Sequence, residues 1–439
     1  MFTLSRTDKH FLKFYYKNKN PTLPYLWLIL EFSMCINFYL LYLSPKINTL
    51  INHNSTPFNI VAKTQQGLEP VLAEELTKLG ATNIELHKRA VSFYGDNNVL
   101  YKANLYARTA LRVLVPIKKF TADNEQQLYD EVKKINWDEY MEANDTLSVE
   151  ASSNSDIFNH TKYIALKTKD AIVDQFRDKY GVRPNVDLEQ PTLKLNLHIF
   201  QNECTLSLDS SGESLHRRGY RADANIAPLN EVTAAALIIL SGWNGEGNFI
   251  DGMCGSGTIL IEAAMFAKNI PANMSRKWFG FMGWKNYDAK LWIQIKQEAE
   301  DNIRPSKATF VGNDSVFKVI EIARGNVIKA GLQNDIKLSN MRFEEQKAPE
   351  GGGIIIMNPP YGERIEMDDV NGFYRMIGDT LKKNFTGYDA WIISSNKTAL
   401  KHMHLNASKK MVVWNGQLEC KFHKYQMYQG TKRQDKEEQ

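Results

Sequence analysis

The chain has 439 residues, 43% hydrophobic and 24% charged, a balance that excludes a disordered protein and describes a globular one of two or three domains. Its 54 basic against 50 acidic side chains leave a net charge of +4, so any phosphate-binding surface has to be local. Cys35, Cys204, Cys254 and Cys420 stand far apart with no CxxC spacing, which argues against a zinc site or disulfide scaffold and suits a reducing compartment.

The first unit is an extension over 1–56. Leu23 to Leu43 is an apolar run broken by Glu31 and Asn37, and about 20 apolar residues can span a bilayer. Arg6, Lys9, Lys13, Lys17 and Lys19 before it would leave everything after it outside the cytoplasm. The run is read as an upstream extension without function rather than an anchor, and the protein as cytoplasmic, with no membrane partner.

From Phe58 the pattern becomes regular. FNIVA reads as a strand, and Pro70 to Leu79 as a helix with Val71, Leu72, Leu76 and Leu79 on one face. Thr121 to Ile135 reads as a helix, LSVEA as a strand and Lys162 to Tyr180 as a longer helix. In LKLNLHIF, Leu193, Leu195, Leu197 and Ile199 alternate with Lys194, Asn196 and His198, predicting a half-buried strand that turns through Gln201–Glu203 into TLSLD. This order suggests a small α+β module.

A third unit opens with the helix EVTAAALIIL from Glu231, then a strand, a glycine-rich loop and a helix in NFIDGMCGSGTILIEAAMFA. The strand TFVGND follows, and a helix carrying Val316, Val319, Ile320, Ala323 and Val327 that Gly331 closes. Then come IIIMNPPY, a helix near Phe373 to Lys383, the strand AWIISSN, and KKMVVWNGQLECKF, where Asn415-Gly416 signals a two-residue hairpin. Alternating strands and helices ending in a hairpin predict a doubly wound α/β sheet, mostly parallel with an antiparallel edge.

In such sheets ligands bind beyond the carboxyl ends of the strands. Asp251, Cys254, Gly255, Ser256, Gly257 and Thr258 occupy such an end, where glycines let backbone approach a ligand and the next helix offers free N–H groups. Asp314 ends the second strand, a place suited to accepting hydrogen bonds from both hydroxyls of a ribose. The stretch between these acids carries Trp278, Phe279, Phe281, Trp284 and Trp292, most of them expected to pack a core.

Asn358 follows a third strand. Its side-chain oxygen and the carbonyl of Pro359 can accept both hydrogens of an exocyclic amine, turning the nitrogen lone pair toward an electrophile. Pro359 and Pro360 hold that carbonyl with little entropy to lose, and Tyr361 supplies a face for a flipped base. Alone, Asn-Pro-Pro reads as a strand-ending turn. Following a glycine loop and a ribose acid, it reads as catalytic.

DGMCGSGTILIEAA, FVGNDS…ARGNVIKAGL and IIIMNPPYGERI resemble the motifs of class I S-adenosylmethionine-dependent RNA methyltransferases, most closely the RlmL-like guanine-N2 methyltransferases of bacterial 23S rRNA. KTKDAIVDQF and LDSSGESLHRRGYR resemble the THUMP RNA-binding module and its junction. The resemblance runs from about Phe58 to Tyr428. It implies a ferredoxin-like part over 57–96, a THUMP domain over 97–211, a Rossmann-like methyltransferase domain over 212–430 and a polar tail over 431–439. It also implies S-adenosyl-L-methionine at Asp251 to Thr258 and Asp314, the target amine at Asn358 to Tyr361, and 23S rRNA in an assembling large subunit as partner, without a metal. Arg217, Arg218 and Arg221 form a basic cluster expected on RNA phosphate or beside the cofactor. Three departures stand out: Gly252 replaces the usual proline, which should loosen the turn; Arg342 stands where an acid facing the cofactor's adenine is expected; and the second methyltransferase domain of longer relatives is absent, so a single modification is expected. A tRNA guanine-N2 or an adenine-N6 methyltransferase, and a non-catalytic RNA-binding assembly factor, are the alternatives.

Overall fold

The computed structural model describes residues 56–221, 229–360 and 369–428. The apolar run in the N-terminal extension, Tyr361 and the polar tail lie outside them. The described residues from Pro57 onward form one compact unit.

Its first half runs β1 (Phe58–Lys63), α1 (Glu69–Lys78), β2 (Thr82–His87), β3 (Ala90–Gly95), α2 (Asn97–Tyr106), β4 (Arg112–Thr121), α3 (Glu125–Lys133), β5 (Thr146–Asn154), α4 (Thr161–Tyr180), β6 (Asn185–Val186), β7 (Leu193–Phe200) and β8 (Glu203–Asp209). All eight strands join one sheet, in the order β2-β3-β1-β4-β8-β7-β5-β6. β4 pairs with both β1 and β8, so the sheet runs unbroken across the domain border expected after residue 96. β4 also explains why α3 starts later than its sequence suggests. Pairing persists as far as Thr121, opposite Glu203, and only then does Asn124 cap the helix by accepting the N–H groups of Gln126 and Gln127. β7 keeps its four aliphatic residues on the core, and its alternate face is exposed only at His198 and Phe200. Lys194 and Asn196 are only 8% and 7% exposed, and Lys194 pairs with Glu150 at 2.7 Å.

The second half runs α5 (Glu231–Ser241), β9 (Glu246–Asp251), α6 (Thr258–Ala267), α7 (Ala289–Asp301), β10 (Lys307–Asp314), α8 (Phe317–Lys329), β11 (Ile336–Asn340), β12 (Gly353–Met357), α9 (Val370–Asn384), β13 (Tyr388–Ser394), α10 (Lys397–Lys401), β14 (Lys409–Asn415) and β15 (Leu418–Gln426). The sheet order is β11-β10-β9-β12-β13-β15-β14, parallel from β11 to β13, with β15 antiparallel to both its neighbours. This is the doubly wound α/β fold that the sequence predicts. Ile355, Ile356 and Met357 of β12 are fully buried between helical layers, hence their unbroken apolar run. The final hairpin turns one residue later than expected: Asn415 still pairs with Leu418, and Gly416, at φ +65°, leads the loop.

The aromatic stretch before β10 packs, but against the other half of the molecule. Phe279 and Phe281 are fully buried in the core of the eight-stranded sheet, with Trp284 and Trp292 beside them. Phe281 stacks on Tyr101 of α2 at 4.2 Å between ring centroids and meets Trp292 edge-on at 5.3 Å. Buried polar groups support the same junction. Asn104 of α2 donates to Ser210 Oγ and accepts from Ser211 Oγ, and its backbone carbonyl accepts from Asn273 Nδ2. The stretch thus fastens the seven-stranded sheet to the N-terminal one.

Candidate functional site

Strand order reverses at β9: β10 and β11 lie to one side and β12 to the other. The carboxyl ends of β9, β10 and β12 therefore diverge, and a cavity of about 820 Å³ opens over them. Asp251, Asp314 and Asn358, one at or just past each strand end, all line it.

The first wall is the loop from Asp251 to Thr258. Gly255 and Gly257 adopt φ of +53° and +80°, the left-handed region that glycine enters freely. Gly257 caps α6, a helix of ten residues whose first two, Thr258 and Ile259, line the cavity and have N–H groups without an intrahelical partner. The loop is held by side chains from neighbouring elements. Asn313 Nδ2 donates to the Gly252 carbonyl at 3.0 Å, and Asn326 Nδ2 to that of Ser256 at 3.0 Å. Asp251 is 1% exposed, its Oδ1 accepting the N–H of Met253 at 3.2 Å. Burial pushes its carboxyl up to about 8, against the Met253 hydrogen bond and with help from the Asp314 charge.

Asp314 accepts the N–H of Gly255 at 3.1 Å on one oxygen and that of Val316 at 3.0 Å on the other. A carboxylate has about four lone-pair sites, so both oxygens keep one for a ligand. Its backbone carbonyl takes Asn340 Nδ2 and Met341 N–H, which sets the loop after β11 beside it. That loop brings Arg342, Phe343 and Glu344 to the wall. Glu344, 3.9 Å from Arg342, supplies a carboxylate two residues beyond the expected place. At Gly252 a Cβ would lie 2.4 Å from the Phe343 ring, so the space a side chain would need is already filled.

The third wall is Asn358, Pro359 and Pro360, joined by Phe373 and Met376 of α9. The Asn358 Oδ1 is buried and has no hydrogen-bond partner among the described residues. A buried amide oxygen without a donor is costly unless a ligand or water supplies one.

The three arginines do not form one surface. Arg218 is 1% exposed, pairs with buried Glu262 at 3.4 Å and donates to the carbonyls of Leu215 and Arg108. It cannot reach an RNA phosphate; the expectation is corrected because its charge serves the interior. Arg221 pairs with Glu231 at 2.7 Å and donates to Thr258 Oγ1 at 3.0 Å, so it braces the glycine loop. Arg217 alone is exposed, beside Glu213.

Comparison with known proteins agrees with this architecture. Residues 59–114 match the RlmL ferredoxin-like domain, 122–209 the THUMP domain and 218–424 the RMKL-like methyltransferase domain. The chain is 42% identical over 369 residues, 84% of its own length and 96% of the relative's, to a Synechocystis protein named as an RNA methyltransferase. It is 39% identical to the ribosomal RNA large subunit methyltransferase K/L of Syntrophotalea carbinolica, over 83% of this chain, and spans about half (53%) of that longer protein. A methyltransferase structure, SMU.472 complexed with SAH, superposes with a TM-score of 0.77 at 29% identity, over 85% of this chain and 99% of the other. An eight-stranded sheet matching ferredoxin-like and THUMP modules, joined to a doubly wound domain of this type, makes the chain a member of the THUMP-containing, RlmKL-like family of RNA methyltransferases.

Proposed function

We propose that the protein methylates the exocyclic N2 of a guanine in 23S rRNA of an assembling large subunit, using S-adenosylmethionine. The observation that carries the chemistry is the unpartnered Asn358 Oδ1 on the wall of a cavity shared with Asp251 and Asp314. The cavity suits the cofactor in volume and in polar lining: about 820 Å³, two glycines at positive φ, and the Asp314 carboxylate with spare acceptor lone pairs.

When bound, S-adenosylmethionine supplies an electrophilic methyl group on a sulfur that leaves as a neutral thioether. Asp314 would accept from the ribose hydroxyls, while Asp251 and the Gly255–Thr258 turn would hold the amino-acid end. Asn358 Oδ1 accepts one hydrogen of the guanine amine and the Pro359 carbonyl the other, which takes the nitrogen lone pair out of ring conjugation. The two prolines keep this acceptor pair rigid, so alignment costs little entropy on binding.

These acceptors do not by themselves tell guanine N2 from adenine N6, and the second reading is an RNA adenine-N6 methyltransferase. Nucleoside mass spectrometry of 23S rRNA and tRNA from a deletion strain decides between them. Loss of one N2-methylguanosine from 23S rRNA is expected. Loss confined to N6-methyladenosine or to tRNA would replace this reading, and unchanged nucleosides would favour an assembly factor.

A further inference from the structure

The α9 helix divides its apolar residues between two tasks. Tyr374, Ile377 and Leu381, spaced i, i+3 and i+7, are fully buried in the core under β12 and β13. Phe373 and Met376 lie on a neighbouring stripe, i and i+3, and are only partly buried. Both line the cavity that Asn358, Pro359 and Pro360 line.

Their orientation is fixed. Asp369 caps α9 by accepting the N–H of Gly372, which starts the helix just before Phe373. Phe373 meets Tyr374 edge-on at 6.0 Å and 76°, and the Thr380 hydroxyl donates to the Met376 sulfur at 3.6 Å. A ring and a thioether held in place, open to a cavity and beside an amide oxygen lacking a donor, offer a planar heterocycle a stacking face and an edge acceptor together.

We propose that Phe373, backed by Met376, is the stacking wall for the extruded target base, and so sets how the exocyclic amine meets Asn358. The inference rests on the proposed methyl transfer to a nucleobase. Base–aromatic stacking is worth about 1–3 kcal/mol per base, or roughly 5- to 150-fold. Phe373 shares the cavity with the glycine loop and Asp314, so a ring that serves the base should, when lost, affect RNA handling and leave cofactor affinity in place.

The test compares Phe373→Ala, Phe373→Leu and Phe373→Tyr on an unmodified 23S rRNA transcript with labelled S-adenosylmethionine, and measures S-adenosylhomocysteine binding by calorimetry. Expected is a loss of about tenfold or more in kcat/KM for RNA in the alanine and leucine variants, recovery in the tyrosine variant, and unchanged calorimetric affinity in all three. Leucine restores packing without a π-face, so rescue by leucine equal to that by tyrosine would reduce Phe373 to a core residue and overturn the proposal. A parent-like alanine variant would overturn it too, leaving the methyl-transfer reading intact. A parent protein that binds S-adenosylhomocysteine yet methylates no rRNA would overturn both.

Discussion

Phe281 of the insertion before β10 stacks on Tyr101 of α2, with ring centroids 4.2 Å apart and 21° between planes. Each ring belongs to a different half of the molecule, and Phe281 is fully buried. Phe281→Ala should therefore cost about 3–5 kcal/mol and weaken the junction selectively. Urea denaturation should change from one transition to two as the halves uncouple, with the N-terminal sheet melting apart from the other. A single transition at the parent midpoint would show that the stack contributes nothing to joining them.

Asp314 holds Gly255 and Val316 as well as facing the cavity. Asp314→Ala should weaken S-adenosylmethionine binding tenfold or more, since hydrogen bonds to a charged acceptor contribute about 1.5–3 kcal/mol. Asp314→Asn, which retains one acceptor oxygen, should lose less. Unchanged calorimetric affinity in the alanine variant would remove the ribose assignment.

Asp251 makes stability depend on pH. Its folded carboxyl titrates near 8, against about 3.9 in an unfolded chain, so between these values the folded protein keeps a proton that the unfolded chain has released. The ligand-free protein should thus lose this contribution as pH rises through about 8, having it in full only below about 4. Urea midpoints measured from about pH 5 to 9 should fall more steeply for the parent than for Asp251→Asn. Parallel slopes would mean that the carboxyl is already ionised.

Asn358→Ala should leave cofactor and RNA affinity near normal and lower single-turnover methyl transfer by about 10²–10³-fold, the usual loss for one well-placed electrostatic partner. Asn358→Asp should be milder, because a carboxylate still accepts hydrogens from the amine. Transfer at the parent rate by the alanine variant would make the Asn-Pro-Pro segment a turn and nothing more.

Arg218→Leu separates structure from RNA contact. It leaves Glu262 buried with the Tyr220 hydroxyl at 3.0 Å and without its paired guanidinium, Arg108 being a cation that still acts on it, a change that should cost about 3–5 kcal/mol. The salt dependence of RNA binding should not move, since the side chain never faces solvent. A flatter salt slope with unchanged stability would return Arg218 to the RNA surface.

Local patterns carried most of the fold. β12 is legible because a parallel strand buried on both faces must be apolar throughout, and the Gly255–Thr258 turn because glycines and an acid sit together in the chain. β2 is barely legible: Thr82 to His87 forms a solvated edge strand in which only Ile84 and Leu86 alternate with polar residues. Arg218 looks like part of a basic run until Glu262, 44 residues away, is placed beside it. Phe373 and Met376 are hidden by the stronger core stripe next to them, and Glu344 becomes visible only when β11 sets its loop against Asp314.

The contact between Gly252 and Phe343 has a consequence for substitution. A Cβ at 252 would stand 2.4 Å from one atom of that ring and 3.0 Å from the Met357 sulfur, so neither neighbour leaves room for a larger residue. The two positions behave as tooth and notch. Randomising residue 252 alone should return glycine almost without exception, whereas proline there should become acceptable once residue 343 is shortened to alanine or valine. The ring at 343 thus sets what residue 252 can be, and the two positions should be free to vary only together.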